Sequence, residues 1–297
     1  MLPLAQWLMR GQGQALAFVV VCFSAGCVFW PINILAVAGL GLLTLRLGAA
    51  HSATIGLLAL LPATVIGYQL GSSYMPALLG LSTIIVSETL RATRSWPLSL
   101  LALTISAFAA SAVMLFLFEA ALLEQVEFMQ EILQQFQAQM AQQQGNAQVM
   151  KLLLDSLNTQ FIAGIWGSMI VMMCFAGIAL SRSWQAKLYN PGGFQQEFHA
   201  LRLGRADTFL YMVSGLGFLA INTSMMTWAW ISMFPVLISG IALFHWLAMH
   251  KKLKQHWYVI FYMLLILNDF IRLILVFIAL LDVSINFRER LNKPQTD

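Results

Sequence analysis

The chain has 297 residues, of which 60% are hydrophobic, and its mean hydropathy is +0.78. Only 9% of the residues are charged, 16 Lys or Arg and 12 Asp or Glu, whereas soluble domains typically carry roughly 25%. The composition therefore excludes a soluble globular protein and indicates an all-α, polytopic transmembrane helix bundle.

The same composition argues against several functions. The net charge of +4 does not indicate nucleic-acid binding, because the basic residues of membrane proteins collect in cytoplasmic segments for topological reasons. Cys22, Cys27 and Cys174 all lie inside apolar runs, and together with five His they predict neither a disulfide nor a metal site. The sequence contains no HExxH, GxSxG or CxxC motif. We therefore expect no cofactor, no catalytic residues and no enzymatic activity.

Apolar runs long enough to cross a membrane, which takes roughly 20 residues, recur along the chain. Pro31 separates the first two runs, which form either two spans or one kinked element, so we expect about eight to nine spans. The nine candidates are 15–30, 32–47, 52–70, 74–90, 97–118, 161–181, 208–222, 226–248 and 257–281.

Composition also divides the chain into three parts. Residues 1–118 are rich in small residues such as Gly39 and Gly41, which let helices approach closely in lipid. Residues 161–297 are rich in aromatic residues, which we expect to face lipid, a cavity, or both. We predict an N-terminal bundle, an extracytoplasmic segment at 119–160 and a C-terminal bundle.

The positions of Lys and Arg predict the topology. Basic residues fall in alternate connections, including the one at Arg46 and the loop at 182–207, so nine spans place the N-terminus and this loop in the cytoplasm. The mostly acidic segment 119–160 then lies outside. The same scheme also places the tail with Arg288 and Arg290 outside. Because that last step contradicts the positive-inside rule, one span is either miscounted or re-entrant.

The Gln-rich segment 119–160 predicts an extracytoplasmic helical hairpin. Apolar residues recur at alternating spacings of four and three, like the a and d positions of a coiled coil, and Gly145-Asn146 is suited to a turn. Two interpretations stay open: the apolar stripe packs within the chain, or it forms a surface for a protein partner or for self-association. Its members are Leu122, Val126, Met129, Leu133, Phe136 and Met140.

Ionisable residues inside the predicted spans are candidates for ligand binding, because a charge near the bilayer centre costs roughly 2.5–3.5 kcal/mol. Asp269 and Arg272, next to Asn268, lie near the middle of the last span and share one helix face. They form either a structural clamp or part of a cavity, where Arg272 would hold an anionic ligand group and Asp269 an amine. Glu88 either faces a cavity or pairs with Arg91 near the end of its span.

His245 stands beside Trp246 near the end of the span at 226–248. Such a position is typical of residues at the membrane interface, so we expect an interfacial role for His245 rather than ligand binding.

The loop at 182–207 contains the most motif-like sequence of the chain. It begins with turn chemistry, and its glycine pair is not a phosphate-binding loop, because the required Gly-Lys spacing and a preceding strand are missing. Apolar residues then follow at helical spacing, which predicts a short amphipathic helix that either lies in the membrane interface or docks a cytoplasmic partner. The motif residues are Asn190, Pro191, Gly192, Gly193, Phe194, Phe198 and Arg202.

The loop sequence Tyr-Asn-Pro-Gly-Gly-Phe…Glu-Phe-His-Ala-Leu-Arg, with small-residue N-terminal spans and aromatic-rich last helices, resembles the YybS-like family of uncharacterised bacterial integral membrane proteins. The resemblance covers most of the chain outside 119–160, although Gly204 stands where the family often has Pro. That family is similar in helical layout to the substrate-binding components of energy-coupling-factor vitamin importers. The resemblance implies a bacterial cytoplasmic-membrane protein with a small-molecule pocket, and no set of functional residues.

Two functions follow as expectations. In the first, the protein binds, and helps to translocate, a small molecule as a component without an ATPase of its own, through a cavity near Asp269 and Arg272. In the alternative, it is an interaction or assembly protein that recruits a partner through the 119–160 hairpin.

Overall fold

The computed structural model describes residues 2–70, 74–142 and 153–292. Nearly all of these residues are helical and none of them lies in a β-strand, which confirms the all-α prediction. The helices are α1 (Leu2–Leu8), α2 (Gln12–Val28), α3 (Asn33–Leu47), α4 (Ala49–Gln69), α5 (Met75–Thr93), α6 (Trp96–Leu117), α7 (Glu119–Gln142), α8 (Thr159–Tyr189), α9 (Gly193–Ala200), α10 (Arg205–Ile221), α11 (Met226–His250), α12 (Gln255–Leu267), α13 (Asp269–Ile285) and α14 (Phe287–Asn292).

Five helices of the described chain are long and apolar enough to cross a membrane. They are α4, α6, α8, α11 and the segment Trp30–Leu47, in which a 3-10 turn precedes α3. The bent pair α12 and α13 makes a sixth if it counts as one span, and α2 is apolar but has only 17 residues. These helices indicate a membrane-embedded protein, while the count of eight to nine spans stays a prediction.

The core is built around α3, in which every residue from Ala36 to Leu45 is buried. The longest helix, α8, packs along α3 and also contacts α6 and α11, so the predicted N-terminal and C-terminal bundles share one hydrophobic core. Small residues permit this packing. A Cβ atom built at Gly41 would lie 2.6 Å from the Ser181 hydroxyl, and one at Gly177 would lie 2.3 Å from a Val37 methyl group.

Polar contacts identify the two ends of the bundle. At one end, the Arg46 guanidinium lies 3.9 Å from the centre of the Tyr189 ring. At the other end, Gln125 of α7 donates a hydrogen bond of 2.9 Å to the Tyr74 hydroxyl. Of the described Lys and Arg residues, all except Arg272 lie at the first end, which we call the basic end. They are Arg10, Arg46, Arg91, Arg94, Arg182, Lys187, Arg202, Arg205, Lys251, Lys252, Lys254, Arg288 and Arg290.

The last predicted span, 257–281, is not a continuous helix. α12 ends at Leu267, α13 begins at Asp269, and the two axes are bent by 109° at the break. The residue between them, Asn268, has extended backbone angles. The predicted span 257–281 thus corresponds to two helices, because a hydropathy profile averages over such a break.

The bent pair enters and leaves the bundle at the basic end. α12 starts directly after Lys254, and the end of α13 lies against the loop that follows α9, because Arg202 donates to the carbonyls of Asp282 at 2.8 Å and Val283 at 2.9 Å. This is the geometry of a re-entrant pair. The tail residues Arg288 and Arg290 therefore lie at the basic end, which agrees with the re-entrant alternative for the last span and removes the conflict with the distribution of positive charge.

The first arm of the predicted 119–160 hairpin is helical, as α7, whereas its predicted turn at Gly145-Asn146 lies outside the described residues. The start of the apolar stripe packs within the chain, because Leu122 and Val126 are buried in a cluster that includes Met114 and Trp228. Further along the stripe, Leu133 is partly buried on this cluster, Met129 and Phe136 are exposed, and the side chain of Met140 lies outside the described residues.

Candidate functional site

A cavity of about 990 Å³ lies between α8, α11 and α12, and α9 covers it at the basic end. Its size is at the upper limit of ligand pockets, which span roughly 300–1,000 Å³. On α11 its lining extends from Thr227 to His245, which at 1.5 Å per residue is a length of about 27 Å. Most of the lining is aromatic or aliphatic, and it includes Phe175, Phe194, Phe198, Trp230, Phe234 and Tyr258.

The cavity exists because α12 packs loosely while α8 presents small side chains to it. Phe261 is the one buried residue of α12, and it stacks on Phe244 of α11 with 3.7 Å between the ring centres. A hydrogen bond of 2.7 Å between His245 and the Tyr262 hydroxyl also connects α12 to α11. Opposite, α8 contributes small residues such as Ala176 and Ala179 to the lining. The space between the two helices therefore stays open.

The predicted amphipathic helix of the loop is present as α9, and α8 extends to Tyr189, so the loop itself is shorter than predicted. Gly192 adopts a positive φ of 87°, which favours glycine, and starts α9 after the turn. Phe194 lies 6.1 Å from Trp96 and Phe198 lies 5.5 Å from His245, measured between ring centres. The apolar face of α9 thus turns into the protein and lines the cavity, whereas its predicted place in the membrane interface or at a cytoplasmic partner stays a prediction.

An ion pair holds α9 in this position. Arg182 of α8 donates from Nε to the Glu197 carboxylate at 2.9 Å and makes a second hydrogen bond to the same carboxylate from Nη2. Such a two-pronged pair fixes orientation as well as distance. The cover of the cavity is therefore attached to the same helix that forms one of its walls.

Arg272 lines the cavity and at the same time closes the break between α12 and α13. Its guanidinium donates to the carbonyls of Leu265 and Ile266, each at 3.0 Å, and pairs with Asp269 at 2.7 Å. The last carbonyls of a helix lack partners within it, so these bonds satisfy groups that the break would leave open. Asn268 accepts a hydrogen bond of 2.9 Å from the backbone of Phe270 and caps α13 in the same way.

The structure therefore supports part of each interpretation of the Asp269–Arg272 pair. The clamp is present, and Arg272 faces a cavity, but Asp269 and Asn268 are not among the lining residues. The charge of Arg272 is balanced by Asp269, so a ligand is not required to neutralise it.

Four polar side chains line the cavity at its basic end, and the sequence did not predict that they lie together. They are His245 and Tyr262, which are hydrogen-bonded to each other, and Gln195 and His199 of α9. Burial and the nearby Arg288 both lower the pKa of His199, which favours its neutral form. The ring of His245 lines the cavity, and its expected interfacial role stays a prediction. His199 lies 46 positions away in the sequence, and no local pattern connects the two.

Glu88 is not part of the cavity. It pairs with Arg91 at 2.7 Å and accepts a hydrogen bond of 2.9 Å from the backbone of Ala49, at the start of α4. A carboxylate at a helix N-terminus is stabilising. The interpretation as a partner of Arg91 is confirmed.

A second charged cluster was missed because it lies just beyond the predicted end of the last span. Asp282 is 1% exposed, pairs with Arg288 at 2.6 Å and accepts from the backbone of Phe287 at 2.9 Å. Arg202, predicted as a loop motif residue, lies 3.7 Å from the same carboxylate. This cluster attaches the end of α13 to the loop after α9.

No group of three or more His, Cys, Asp or Glu side chains in the described part of the chain is arranged to hold a metal ion. Comparisons of the chain with protein-family models, with curated proteins and with solved structures return no match. The resemblance to the YybS-like family, and the layout it implies, stay predictions.

Proposed function

We propose that the protein binds a small, predominantly apolar molecule in the cavity between α8, α11 and α12. It acts as a multi-pass component of a bacterial cytoplasmic membrane, helps to translocate this molecule, and has no ATPase of its own. The observation that carries the proposal is the cavity of about 990 Å³ with its aromatic and aliphatic lining. The resemblance to the YybS-like family belongs to the same proposal.

The lining of the cavity argues for an apolar occupant. About 990 Å³ is bordered mainly by aromatic and aliphatic side chains, and burying apolar surface against such walls is worth roughly 25 cal/mol per Å². Water is a poor occupant, because water in protein interiors needs polar partners and apolar cavities stay dry. An apolar ligand would instead make van der Waals contacts with the aromatic and aliphatic side chains that line the cavity.

The basic end is the cytoplasmic end in this proposal, because positive residues remain inside during membrane insertion. Single cysteines at Gln196 of α9 and Arg290 of α14, in a chain whose three native cysteines are replaced by alanine, should then react with a membrane-impermeant thiol reagent from the cytoplasmic side. A cysteine at Gln134 of α7 should react from the opposite side. Labelling of Arg290→Cys and Gln134→Cys from the same side of the membrane would contradict this orientation.

Filling the cavity tests the binding function. Ala176→Phe combined with Ala179→Phe places two rings in the space that α8 leaves open, whereas Ala109→Phe adds a ring on the exposed side of α6 and is the matched control. Native mass spectrometry of the protein purified in mild detergent should find a bound molecule on the wild type and on the control, and none on the filled variant. An equal bound population on all three proteins contradicts the proposal.

The alternative function, recruitment of a partner, is favoured by the exposed aromatic residues of α7. Phe128 and Phe136 are 62% and 53% exposed. Exposed apolar patches often mark a surface at which a protein partner binds. Phe128→Ser with Phe136→Ser should abolish co-purification of a partner and leave thermal stability unchanged. Unchanged recovery of every co-purifying protein removes this function.

A further inference from the structure

We infer that the ligand of the cavity is a long-chain amphiphile with an anionic head, which enters sideways from the membrane and lies with its head at the basic end. The inference rests on the proposed function and names the chemical class of its ligand. Three features of the cavity carry it: its shape, the position of its polar groups and the weak attachment of α12.

The lining of the cavity extends along two helices. It covers about 27 Å along α11, from Thr227 to His245, and about 21 Å along α8, from Ile165 to Ala179. The length approaches the hydrocarbon thickness of a bilayer, about 30 Å. Such a groove matches an extended hydrocarbon chain and is a poor match for a compact, rounded solute.

Polar groups able to hold a ligand are concentrated at one end of the groove. Away from the basic end, the hydroxyls of Ser168 and Thr227 already donate to the backbone carbonyls of Thr227 and Phe161, at 3.1 Å and 3.2 Å. The guanidinium of Arg272 is occupied by Asp269 and by two carbonyls of α12. At the basic end, the hydrogen bond between His245 and Tyr262 uses one N–H or O–H of that pair and leaves another for a head group. The Gln195 amide donates one N–H to the Met249 sulfur at 3.4 Å and keeps its second N–H for a ligand.

The charge around this end favours an anion. No Asp or Glu is among the lining residues of the cavity, and two acids on the surrounding elements are paired, Glu197 with Arg182 and Asp282 with Arg288. The described Lys and Arg residues, except for Arg272, are concentrated at the same end. They do not line the cavity, so they contribute a long-range positive potential that attracts anions to this end. A carboxylate or a phosphate head fits both the charge and the donors.

The weakly packed α12 provides a lateral entrance. Its contacts with α11 are concentrated at Phe261 and Tyr262, near the basic end, and its other end is held by Arg272 at the break. Between these points Leu265 and Ile266 face the groove while the outer side of the helix is exposed. A molecule dissolved in the bilayer therefore reaches the groove without passing through the polar covering helix α9.

Thermal unfolding of the purified, detergent-solubilised protein with four probes tests the inference. Oleate and oleoyl lysophosphatidate share a long chain and differ in the anionic head, octanoate shortens the chain, and oleyl alcohol removes the charge. Both long anionic probes should raise the unfolding temperature of the wild type and of Ala109→Phe, whereas octanoate at the same concentration should not. A response to only one of the two long probes identifies the head group as carboxylate or phosphate. The filled variant, Ala176→Phe with Ala179→Phe, should respond to none of them.

The head position is tested separately with Gln195→Ala and His245→Gln. Loss of a hydrogen bond to a charged group should weaken oleate binding roughly tenfold and leave oleyl alcohol binding unchanged. Gln195 is exposed on α9, so its substitution keeps the test valid where the His245 variant is unstable. Unchanged oleate binding by both variants contradicts the head position.

The remaining outcomes separate this inference from the proposed function. Equal responses to octanoate and oleate, or an undiminished response of the filled variant, overturn the long-chain site. A compact apolar molecule bound to the wild type and absent from the filled variant also overturns the inference of an amphiphile, while the proposed function stands. Absence of any bound molecule from the wild type overturns both.

Discussion

α3 and α12 are apolar helices of similar length, 15 and 13 residues, with opposite surroundings. α3 is buried from Ala36 to Leu45, whereas α12 buries Phe261 alone. The difference lies in side-chain size, because α3 contains glycine and alanine at its contacts and α12 contains no Gly, Ala or Ser. In lipid, apolar character does not drive helices together, and small residues decide which of them pack closely. A bulky helix such as α12 consequently stays apart from α8 and borders a groove.

α13 lies between these two extremes. It approaches α11 closely at Gly240, where a Cβ atom would lie 2.6 Å from the backbone carbonyl oxygen of Leu275. Its end is held by the buried carboxylate of Asp282. The loosely packed helix α12 is thus attached to the bundle chiefly through the well-packed helix that follows it.

The largest effect is expected from removing the anchor of α13. Asp282→Asn leaves the largely buried Arg288 without its ionic partner, which typically costs about 3–5 kcal/mol. Thermal unfolding in detergent should show a large decrease in the midpoint, while Glu124→Gln, on the exposed surface of α7, should leave it unchanged. Equal midpoints for the two variants would show that the cluster does not hold α13.

A smaller effect is expected from a single methyl group between α11 and α13. Gly240→Ala forces the Leu275 carbonyl to shift, and such overpacking costs about 1–3 kcal/mol. Gly217→Ala is the matched control, because nothing lies within 4 Å of its added Cβ and alanine is the better helix former. The free energy of unfolding should decrease in the first variant and stay the same or increase in the second. The reverse order contradicts the close approach of the two helices.

Removing the clamp at the break should cost less. Arg272→Ala removes the hydrogen bonds to the carbonyls of Leu265 and Ile266. The free energy of unfolding should decrease by about 1 kcal/mol, because the site is partly exposed. Arg290→Ala, at an exposed position of α14, provides the comparison. The Arg272 variant should also increase the rate of thiol labelling of a cysteine introduced at Leu265. Unchanged labelling would mean that the clamp does not fix α12.

The smallest effect is expected from pH. The pKa of His199 lies below its ordinary value of 6.5 in the folded protein, so the unfolded chain binds the proton first as the pH falls. The stability contributed by the neutral ring is present above pH 6.5 and is lost as the pH decreases through that value and towards the lower folded pKa. His199→Gln should therefore lose less stability than the wild type between neutral and mildly acidic pH. An identical decrease in both proteins contradicts the burial of this ring on the inner side of α9.

Side-chain periodicity and hydropathy predicted most of the local structure. They predicted the long helices and the short helix at Phe194, and they singled out Arg272, which lies at the break and lines the cavity. They did not predict the break at Asn268, because capping satisfies the backbone there without changing the apolar composition. The inward face of α9 was missed because apolar residues at helical spacing suit lipid and protein equally well. The cavity and the Asp282 cluster join segments far apart in sequence, such as Arg202 and Asp282, and only the packing of the chain brings them together.

The most direct test of a ligand groove beside a loosely packed helix is a density map of the protein in lipid nanodiscs. The map should show α12 and α13 as a bent pair with both ends at the basic end, and elongated density along α11 between Thr227 and His245. A straight helix from Gln255 to Ile285 across the bilayer, or α12 packed against α8 with no space between them, would contradict the account.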